Sequence, residues 1–78
     1  MKSHQSISKI IKVHRKKAGL SQHALAKLAG VGKTAVFDVE KGKETIRLDT
    51  LRKILLALNI TMKLESPLLE ETNREGME

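Results

Sequence analysis

The sequence predicts an all-α domain that is followed by a single β-strand near the C-terminus. Apolar residues recur at helical spacing in four segments, residues 60–65 alternate strictly between apolar and polar, and no second strand pattern is found. A chain of 78 residues has room for one small domain only. With one phenylalanine and no tyrosine or tryptophan, the core of that domain must be aliphatic.

The first two helices are predicted before residue 30. The first begins near Ser3 or Ser6 and ends at Ala18, before a helix-terminating glycine. The second begins after Ser21, which is a good N-cap, and Gly30 stops it. The apolar positions of the two helices are Ile7, Ile10 and Ile11, with His14 on the same side, and then Leu25, Ala26, Leu28 and Ala29.

The third helix is predicted to begin near Gly32 and to run to about Lys41, where another glycine closes it. The fourth is expected to be capped by Asp49 and to end at Asn59, a residue that tolerates the left-handed conformation. The inward positions of these two helices are Val36 and Val39, and then Leu51, Ile54, Leu55 and Leu58.

A strand is predicted after the fourth helix. In "ITMKLES" the apolar side chains of Ile60, Met62 and Leu64 share one face, and Pro67 ends the pattern. A single strand cannot satisfy its own backbone hydrogen bonds, so it must pair with a strand of another molecule. The simplest partner is a second copy of this chain, which makes residues 59–66 a dimerisation strand.

The charge is distributed unevenly along the chain. Residues 1–64 carry 14 Lys and Arg against four acidic residues, a net of +10, whereas residues 65–78 carry five Glu against one Arg, a net of −4. A basic domain favours a polyanion such as nucleic acid as its partner. We expect residues 67–78 to be an acidic, disordered tail. It is either a solubilising or degradable end, which we favour, or a segment that docks a basic partner such as a toxin kinase through Leu68 and Leu69.

Membrane insertion and disulfide bonding are not expected. No apolar run approaches the roughly 20 residues of a membrane span, and no signal-peptide pattern opens the chain. Because the chain has no cysteine, it can form neither a disulfide nor a thiolate metal site. We therefore expect a soluble cytoplasmic protein.

The stretch "GVGKTAVF" has the glycine, lysine and threonine of a phosphate-binding loop but lacks the rest of that motif. The first glycine of the motif would fall at Lys27, and the preceding segment has a helical pattern where a buried strand is required. The sequence therefore argues against nucleotide binding.

The same residues fit a helix-turn-helix. Leu25 and Ala29 point into a small core, Ala26 allows the next helix to cross closely, and Gly30 permits a tight turn with positive φ. Val31 packs beneath that turn. With its two valines turned inward, the second helix of the motif presents to solvent Gly32, Lys33, Thr34, Phe37 and Asp38.

The segment "RKKAGLSQHALAKLAGVGKTAVFDVEKGK" resembles the Cro/cI-type (Xre) helix-turn-helix family, and the likeness covers residues 6–58. The resemblance implies a lambda-repressor-like helix-turn-helix bundle over residues 1–58. It also implies that the helix opening at "SQ" lies across the DNA backbone and that the next helix enters the major groove. Arg15 and Glu40 match a buried ion pair of the family; the alternative is two solvated surface charges.

The strand pattern "ITMKLESP" is similar to a narrower group, the HipB-like antitoxins and regulators, in place of the fifth helix of most Xre proteins. This likeness implies that the strand pairs across a homodimer through Ile60, Met62 and Leu64. HipB-like proteins are typically encoded beside a HipA-like kinase toxin, bind it and repress the shared promoter. The resemblance implies the same role for this chain.

Two sets of residues are predicted to contact double-stranded DNA. Those expected at phosphates are Ser21, Gln22, Lys41 and Lys43. Those expected in the major groove are Gln22, Gly32, Lys33, Thr34, Phe37 and Asp38. Phe37 either meets thymine methyl groups or is partly buried. Asp38 either accepts from cytosine or, as we favour, orients Lys41 or Lys33.

No catalytic residue, metal site or cofactor site is predicted. The histidines show no metal-ligand spacing, and only His14 lies on an apolar face, where we expect a partly buried imidazole with a hydrogen-bond partner. The leading hypothesis is a homodimeric repressor of a palindromic operator that also serves as the antitoxin of a HipA-like kinase. The alternatives are a stand-alone, phage-like Xre regulator and a protein-interaction module that has lost DNA binding.

Overall fold

The computed structural model describes residues 6–63, which form four α-helices. These are α1 (Ile7–Lys17), α2 (Gln22–Ala29), α3 (Lys33–Lys41) and α4 (Leu48–Ala57). Helix α3 packs against each of the other three helices, and α2 also packs against α4. The predicted all-helical bundle is confirmed. None of the helices in residues 6–63 is long and apolar enough to cross a membrane.

Serine side chains begin the first two helices, as the sequence predicts. The Ser6 hydroxyl accepts a hydrogen bond from the backbone N–H of Lys9 at 3.3 Å, so α1 begins after Ser6. The Ser21 hydroxyl accepts in the same way from the backbone N–H of Ala24 at 3.0 Å. Each serine satisfies an amide that would otherwise lack a partner in the first turn. Ser3, the alternative start of α1, lies outside the described residues.

Gly30 makes the turn between α2 and α3, and its backbone conformation explains the residue type. Its φ is +76°, and the backbone N–H of Val31 donates to the carbonyl of Ala26 at 3.0 Å across the turn. A Cβ built on Gly30 would have nothing within 4 Å, so space does not require a glycine there. The positive φ does, because it is strained for a residue with a side chain. The turn therefore fixes the direction in which α3 leaves α2.

The prediction that Asp49 caps α4 is wrong. Helix α4 begins at Leu48 with Arg47 at the N-cap, and no side chain caps it. Asp49 lies inside the first turn, where its carboxylate accepts from the backbone N–H of Thr50 at 2.8 Å and from the Arg47 guanidinium at 3.2 Å. An acidic group in the first turn still interacts favourably with the positive end of the helix dipole. The sequence therefore placed Asp49 correctly at the start of α4 but wrongly assigned it as the N-cap.

Asn59 ends α4 in the left-handed conformation, as predicted, with φ at +60°. The backbone N–H of Ile60 then donates to the carbonyl of Leu55 at 2.9 Å, which closes the helix end. Ile60 is half-buried against the core, whereas Met62 is 45% exposed. Residues 60–63 form no strand in the isolated chain, and the remainder of the predicted strand, with Leu64, lies outside the described residues.

The core is aliphatic, as the composition predicts. It contains a set of buried side chains from all four helices: Ile11, Leu25, Ala26, Val36, Val39, Ile54 and Leu55. Leu51, Leu58 and Val31 are half-buried and pack against this set, with Val31 beneath the turn. Not every apolar position points inward, however. Leu28 is 62% exposed, and Ile7 is exposed as well.

Candidate nucleic-acid interface

Helix α3 has an apolar inner face and a polar, basic outer face. Val36 and Val39 are buried in the core. Lys33 and Thr34, in the first turn, are exposed, and Phe37 one turn further on is 47% exposed. Because the valines hold the inner face against the bundle, the side chains that begin α3 stand on the surface of the molecule. These are the positions at which recognition helices of this kind contact bases.

Gly32 precedes α3 in an extended conformation, with φ at −72° and ψ at 151°, and provides no side-chain cap. No side chain therefore hydrogen-bonds the backbone N–H groups of the first turn of α3. This arrangement suits a helix end that approaches an anionic backbone, because its N–H groups carry partial positive charge. Gly32 belongs to the predicted major-groove set and lies exposed at the entrance to α3.

A buried ion pair joins α3 to α1. The Arg15 guanidinium donates from Nε to Glu40 Oε2 at 2.5 Å and from Nη2 to Glu40 Oε1 at 3.0 Å. Only 3% of the Glu40 side chain is exposed, so the pair is almost completely desolvated. Two parallel N–H···O bonds of this kind fix both the distance and the orientation of the two groups. The alternative of two solvated charges is ruled out by this geometry.

Two further hydrogen bonds extend this pair into a network. Arg15 Nη1 donates to the backbone carbonyl of Leu20 at 2.8 Å, in the connection between α1 and α2. Gln22 Nε2, at the start of α2, donates to Glu40 Oε1 at 3.1 Å. Glu40 therefore links α1, α2 and α3, and Gln22, a predicted DNA contact, is held by the same carboxylate. We call Arg15, Gln22 and Glu40 the Glu40 network.

Both groups of the ion pair remain charged inside the network. Burial alone would raise the pKa of Glu40, but hydrogen bonds from Arg15 and Gln22, with the nearby charges of Arg15 and Lys12, outweigh it and leave the pKa below its usual value. The hydrogen bond to Glu40 raises the pKa of Arg15. The network is thus an ion pair with one amide donor rather than a pair of neutral groups.

The stability of the chain is expected to depend on pH through Glu40. Because the pKa of Glu40 is lower in the folded chain than in the unfolded one, its stabilising effect is complete above the unfolded pKa and is lost as the pH falls through the folded value. The free energy of unfolding should therefore decline below about pH 5. Urea unfolding across a pH series should show a smaller decline for Glu40→Gln; an equal decline in both proteins would contradict this origin.

Phe37 and Lys41 lie one turn apart on α3 and contact each other. The ammonium of Lys41 lies 5.2 Å from the centroid of the Phe37 ring, which is a cation–π distance. The sequence left open whether Phe37 is exposed or partly buried in the core or the dimer, and within the single chain its side chain is 47% exposed. The ring therefore adds an apolar surface beside a cation on the outer face of α3.

Asp38 pairs with a lysine beyond the end of α3. Its carboxylate lies 3.6 Å from Nζ of Lys43 and is half-buried. The sequence predicted that Asp38 pairs with Lys41 or Lys33, but in the structure it pairs with Lys43. The Lys43 backbone N–H also donates to the carbonyl of Asp38 at 3.0 Å, so the two residues are fixed together at the helix end.

The other predicted contact residues are distributed around α2 and the end of α3. Ser21 is exposed, and its hydroxyl is occupied as the N-cap of α2. Lys41 and Lys43 are exposed at the other end of the motif. The sequence missed that Gln22 is bound to Glu40. No local signal could have revealed this, because the two residues are 18 positions apart and meet only in the folded bundle.

His14 differs from the expectation. Its imidazole is exposed rather than partly buried, although Nδ1 lies 2.7 Å from the carbonyl oxygen of Ile10 and so has a hydrogen-bond partner. Within residues 6–63, no group of histidine, aspartate and glutamate side chains is arranged to hold a metal ion.

Two helices joined by a glycine turn, the second with a basic outer face and a buried inner face, define a helix-turn-helix DNA-binding regulator. The chain belongs to the Xre-type helix-turn-helix family, whose pattern it matches over residues 11–64. The family and the relatives of this chain are transcriptional regulators and not enzymes.

Known proteins resemble the chain over most of its length. It is 30% identical over 67 residues to the uncharacterised HTH-type transcriptional regulator y4mF of Sinorhizobium fredii. The matched residues make up 86% of this chain and 88% of that protein. A chain of the HipA-HipB-O2-O3 complex superposes with a TM-score of 0.72 at 26% identity, covering 86% of this chain and 99% of that one. The HipB-O4 20mer complex gives the same values. These likenesses support the HipB-like subgroup that the C-terminal pattern predicts.

Proposed function

We propose that the protein is a transcriptional repressor that binds a palindromic operator as a homodimer. The single observation that carries this proposal is the construction of α3, whose basic outer face is exposed while the Glu40 network fixes its inner side. The similarity to HipB chains, solved in complexes named HipB-O4 20mer and HipA-HipB-O2-O3, supports it.

Base recognition is assigned to the start of α3. The Lys33 ammonium can donate to O6 and N7 of guanine, and Thr34 can bond a base edge or contact a thymine methyl group. Phe37, one turn further along the same face, offers an apolar surface to thymine methyl groups. Gln22 lies at the start of α2, where its link to Glu40 holds its amide next to α3.

Phosphate contacts are assigned to both ends of the motif. The start of α2, with Ser21 and Gln22, presents backbone amides to one strand. Lys41 and Lys43 follow the recognition helix and reach the backbone beyond it. Each phosphate contact steepens the fall of the logarithm of the binding constant with the logarithm of the salt concentration by about 0.9. Since Lys43 also pairs with Asp38, it compensates for the one acidic charge on the outer face of α3.

Dimerisation is assigned to residues 59–66. Residues 60–63 form no strand within one chain, and pairing of this segment with its copy would place it in a two-stranded sheet across the dimer. Ile60, Met62 and Leu64 would then form an apolar strip across the twofold axis. Two recognition helices related by that axis would read half-sites about one helical turn, 34–36 Å, apart.

We further propose that the repressor is the antitoxin of a HipA-like kinase toxin. The support is the HipB-like C-terminal pattern and the likeness to a chain solved in the HipA-HipB-O2-O3 complex. Affinity purification of the full chain from its native cell should recover a kinase-like protein encoded in the neighbouring reading frame. A neighbouring frame of another kind would favour the stand-alone Xre regulator.

A protein-interaction module without DNA binding is the weaker alternative. The features that favoured it were Asp38 in the recognition helix and Gly32 in place of a polar N-cap. Asp38 is compensated by Lys43, and Gly32 begins α3 without blocking its N-terminal amides. Neither residue therefore argues against an approach to DNA.

A gel-shift titration against the DNA upstream of the protein's own gene tests the function. We expect the full chain to shift this DNA, and Lys33→Ala to weaken binding by about 1–3 kcal/mol through loss of a base contact. The matched control is Lys17→Ala, which removes an exposed lysine at the end of α1. Equal affinities for the two variants would exclude Lys33 from base readout, and no shift by the unaltered chain would overturn the proposed function.

A further inference from the structure

An apolar groove that the DNA-binding face does not use lies between α2 and α4. It is an open depression of about 410 Å³ that is lined by Leu28, Ala29, Lys53, Leu56 and Ala57. Its two leucines are largely exposed, Leu28 to 62% and Leu56 to 75%. Single exposed leucines are common on protein surfaces, but two that line one groove favour an interaction site there.

The groove is lined by residues that are not assigned to DNA. Leu28 is six positions after Gln22 on α2, which places it roughly 120° around the helix and about 9 Å along it. Lys53, Leu56 and Ala57 lie on α4, which carries no residue of the predicted DNA contacts. A ligand in the groove would therefore leave the outer face of α3 free.

One segment of this chain has the chemistry that the groove requires. Residues 67–71 read "PLLEE", in which two adjacent leucines are followed by two glutamates. The leucines match the walls formed by Leu28 and Leu56, and the glutamates are opposite in charge to Lys53 at the edge. The wider charge pattern agrees, since residues 65–78 carry a net of −4 and residues 1–64 a net of +10.

The proposed strand pairing brings this segment from a second copy. If two strands cross antiparallel at Met62, then Leu64 of one copy lies opposite Ile60 of the other. Ile60 is bonded to Leu55 at the end of α4, directly beside the groove residues Leu56 and Ala57. From there, four further residues give Leu68 of the second copy a reach of at most about 14 Å.

We infer that the groove between α2 and α4 binds residues 68–71 of a second copy of this chain, with Leu68 and Leu69 between Leu28 and Leu56 and the glutamates beside Lys53. This inference rests on the homodimer of the proposed function and extends it. The acidic segment then becomes part of the dimer interface, and each subunit binds the other at a second site in addition to the paired strands.

Mixed dimers of the full chain test this arrangement. One chain carries a spin label at Thr72→Cys, the only thiol in the protein, and the other carries isotope-labelled methyl groups and no spin label. The methyl signals of Leu28 and Leu56 should lose several-fold more intensity than those of Val13, an exposed apolar residue on α1. The double change Leu68→Ser with Leu69→Ser in the spin-labelled chain should abolish the difference and weaken the dimer roughly tenfold or more.

Sedimentation of the same samples distinguishes failure of this inference from failure of the homodimer. A dimer whose Leu28 and Leu56 signals broaden no more than those of Val13 overturns this inference and leaves the strand-paired homodimer standing. Broadening that occurs only when both labels are on one chain also overturns it, because the segment would then fold back on its own subunit. A monomer overturns the homodimer and this inference together.

Discussion

Replacing Glu40 with alanine is expected to lower the free energy of unfolding by about 3–5 kcal/mol, because Arg15 would remain buried without its partner. Only 10% of the Arg15 side chain is exposed and two of its hydrogen bonds go to Glu40, so the change leaves these donors without their carboxylate in a largely desolvated site. Small domains have only about 5–15 kcal/mol to lose, so the variant should unfold at much lower urea concentration.

The control for this prediction is Asp49→Ala. It removes the carboxylate of another arginine pair, Arg47–Asp49, in which both side chains are more than half exposed. Exposed pairs contribute little to stability, so its unfolding midpoint should stay close to that of the unaltered chain. Glu40→Gln keeps the size of the side chain and can still accept from Arg15, and it should fall between the two. A midpoint for Glu40→Ala equal to that of Asp49→Ala would contradict the structural role of the network.

Changing Met62 to lysine is expected to convert the protein to a monomer and to lower its affinity for the operator by about 10²–10⁴-fold. The new charge would lie in the proposed apolar strip, opposite its own copy across the twofold axis. The loss in DNA affinity has the size of an avidity effect, since a monomer holds one half-site without the second. Analytical ultracentrifugation measures the first effect and gel shift the second.

The helices should survive this change. Met62 lies beyond α4 and is 45% exposed, so a lysine there disturbs no buried contact within one chain. Thr61→Lys is the matched control, because it adds the same charge one residue away on the other face of the predicted strand. We expect it to remain a dimer with helical circular dichroism unchanged. A Met62→Lys variant that still sediments as a dimer would move the interface elsewhere.

Local physical signals made most of the fold predictable. Ser6 and Ser21 start helices because a hydroxyl can satisfy an amide of the first turn, and Gly30 and Asn59 end them because few residues tolerate positive φ. Asp49 failed as a cap for a related reason, since an acidic residue is favourable at several positions of a first turn and its residue type alone does not select one.

The exposure of the candidate site residues was predictable from the sequence, but their contacts were not. Periodicity alone turned Val36 inward and Lys33 outward. The bond from Gln22 to Glu40 and the choice of Lys43 by Asp38 depend on side-chain geometry across the folded motif, which sequence spacing does not contain. Leu28 also could not be placed from the sequence. An apolar residue on a helix predicts burial, but its position does not tell whether its own chain or another chain buries it.

The central claim is that two copies of this chain place their α3 helices in successive major grooves of one operator. Hydroxyl-radical footprinting of the full chain on the DNA upstream of its gene tests this most directly. The account predicts two protected half-sites related by a twofold axis, with centres about one helical turn apart. A single protected half-site, or two at a spacing that changes with protein concentration, would contradict it.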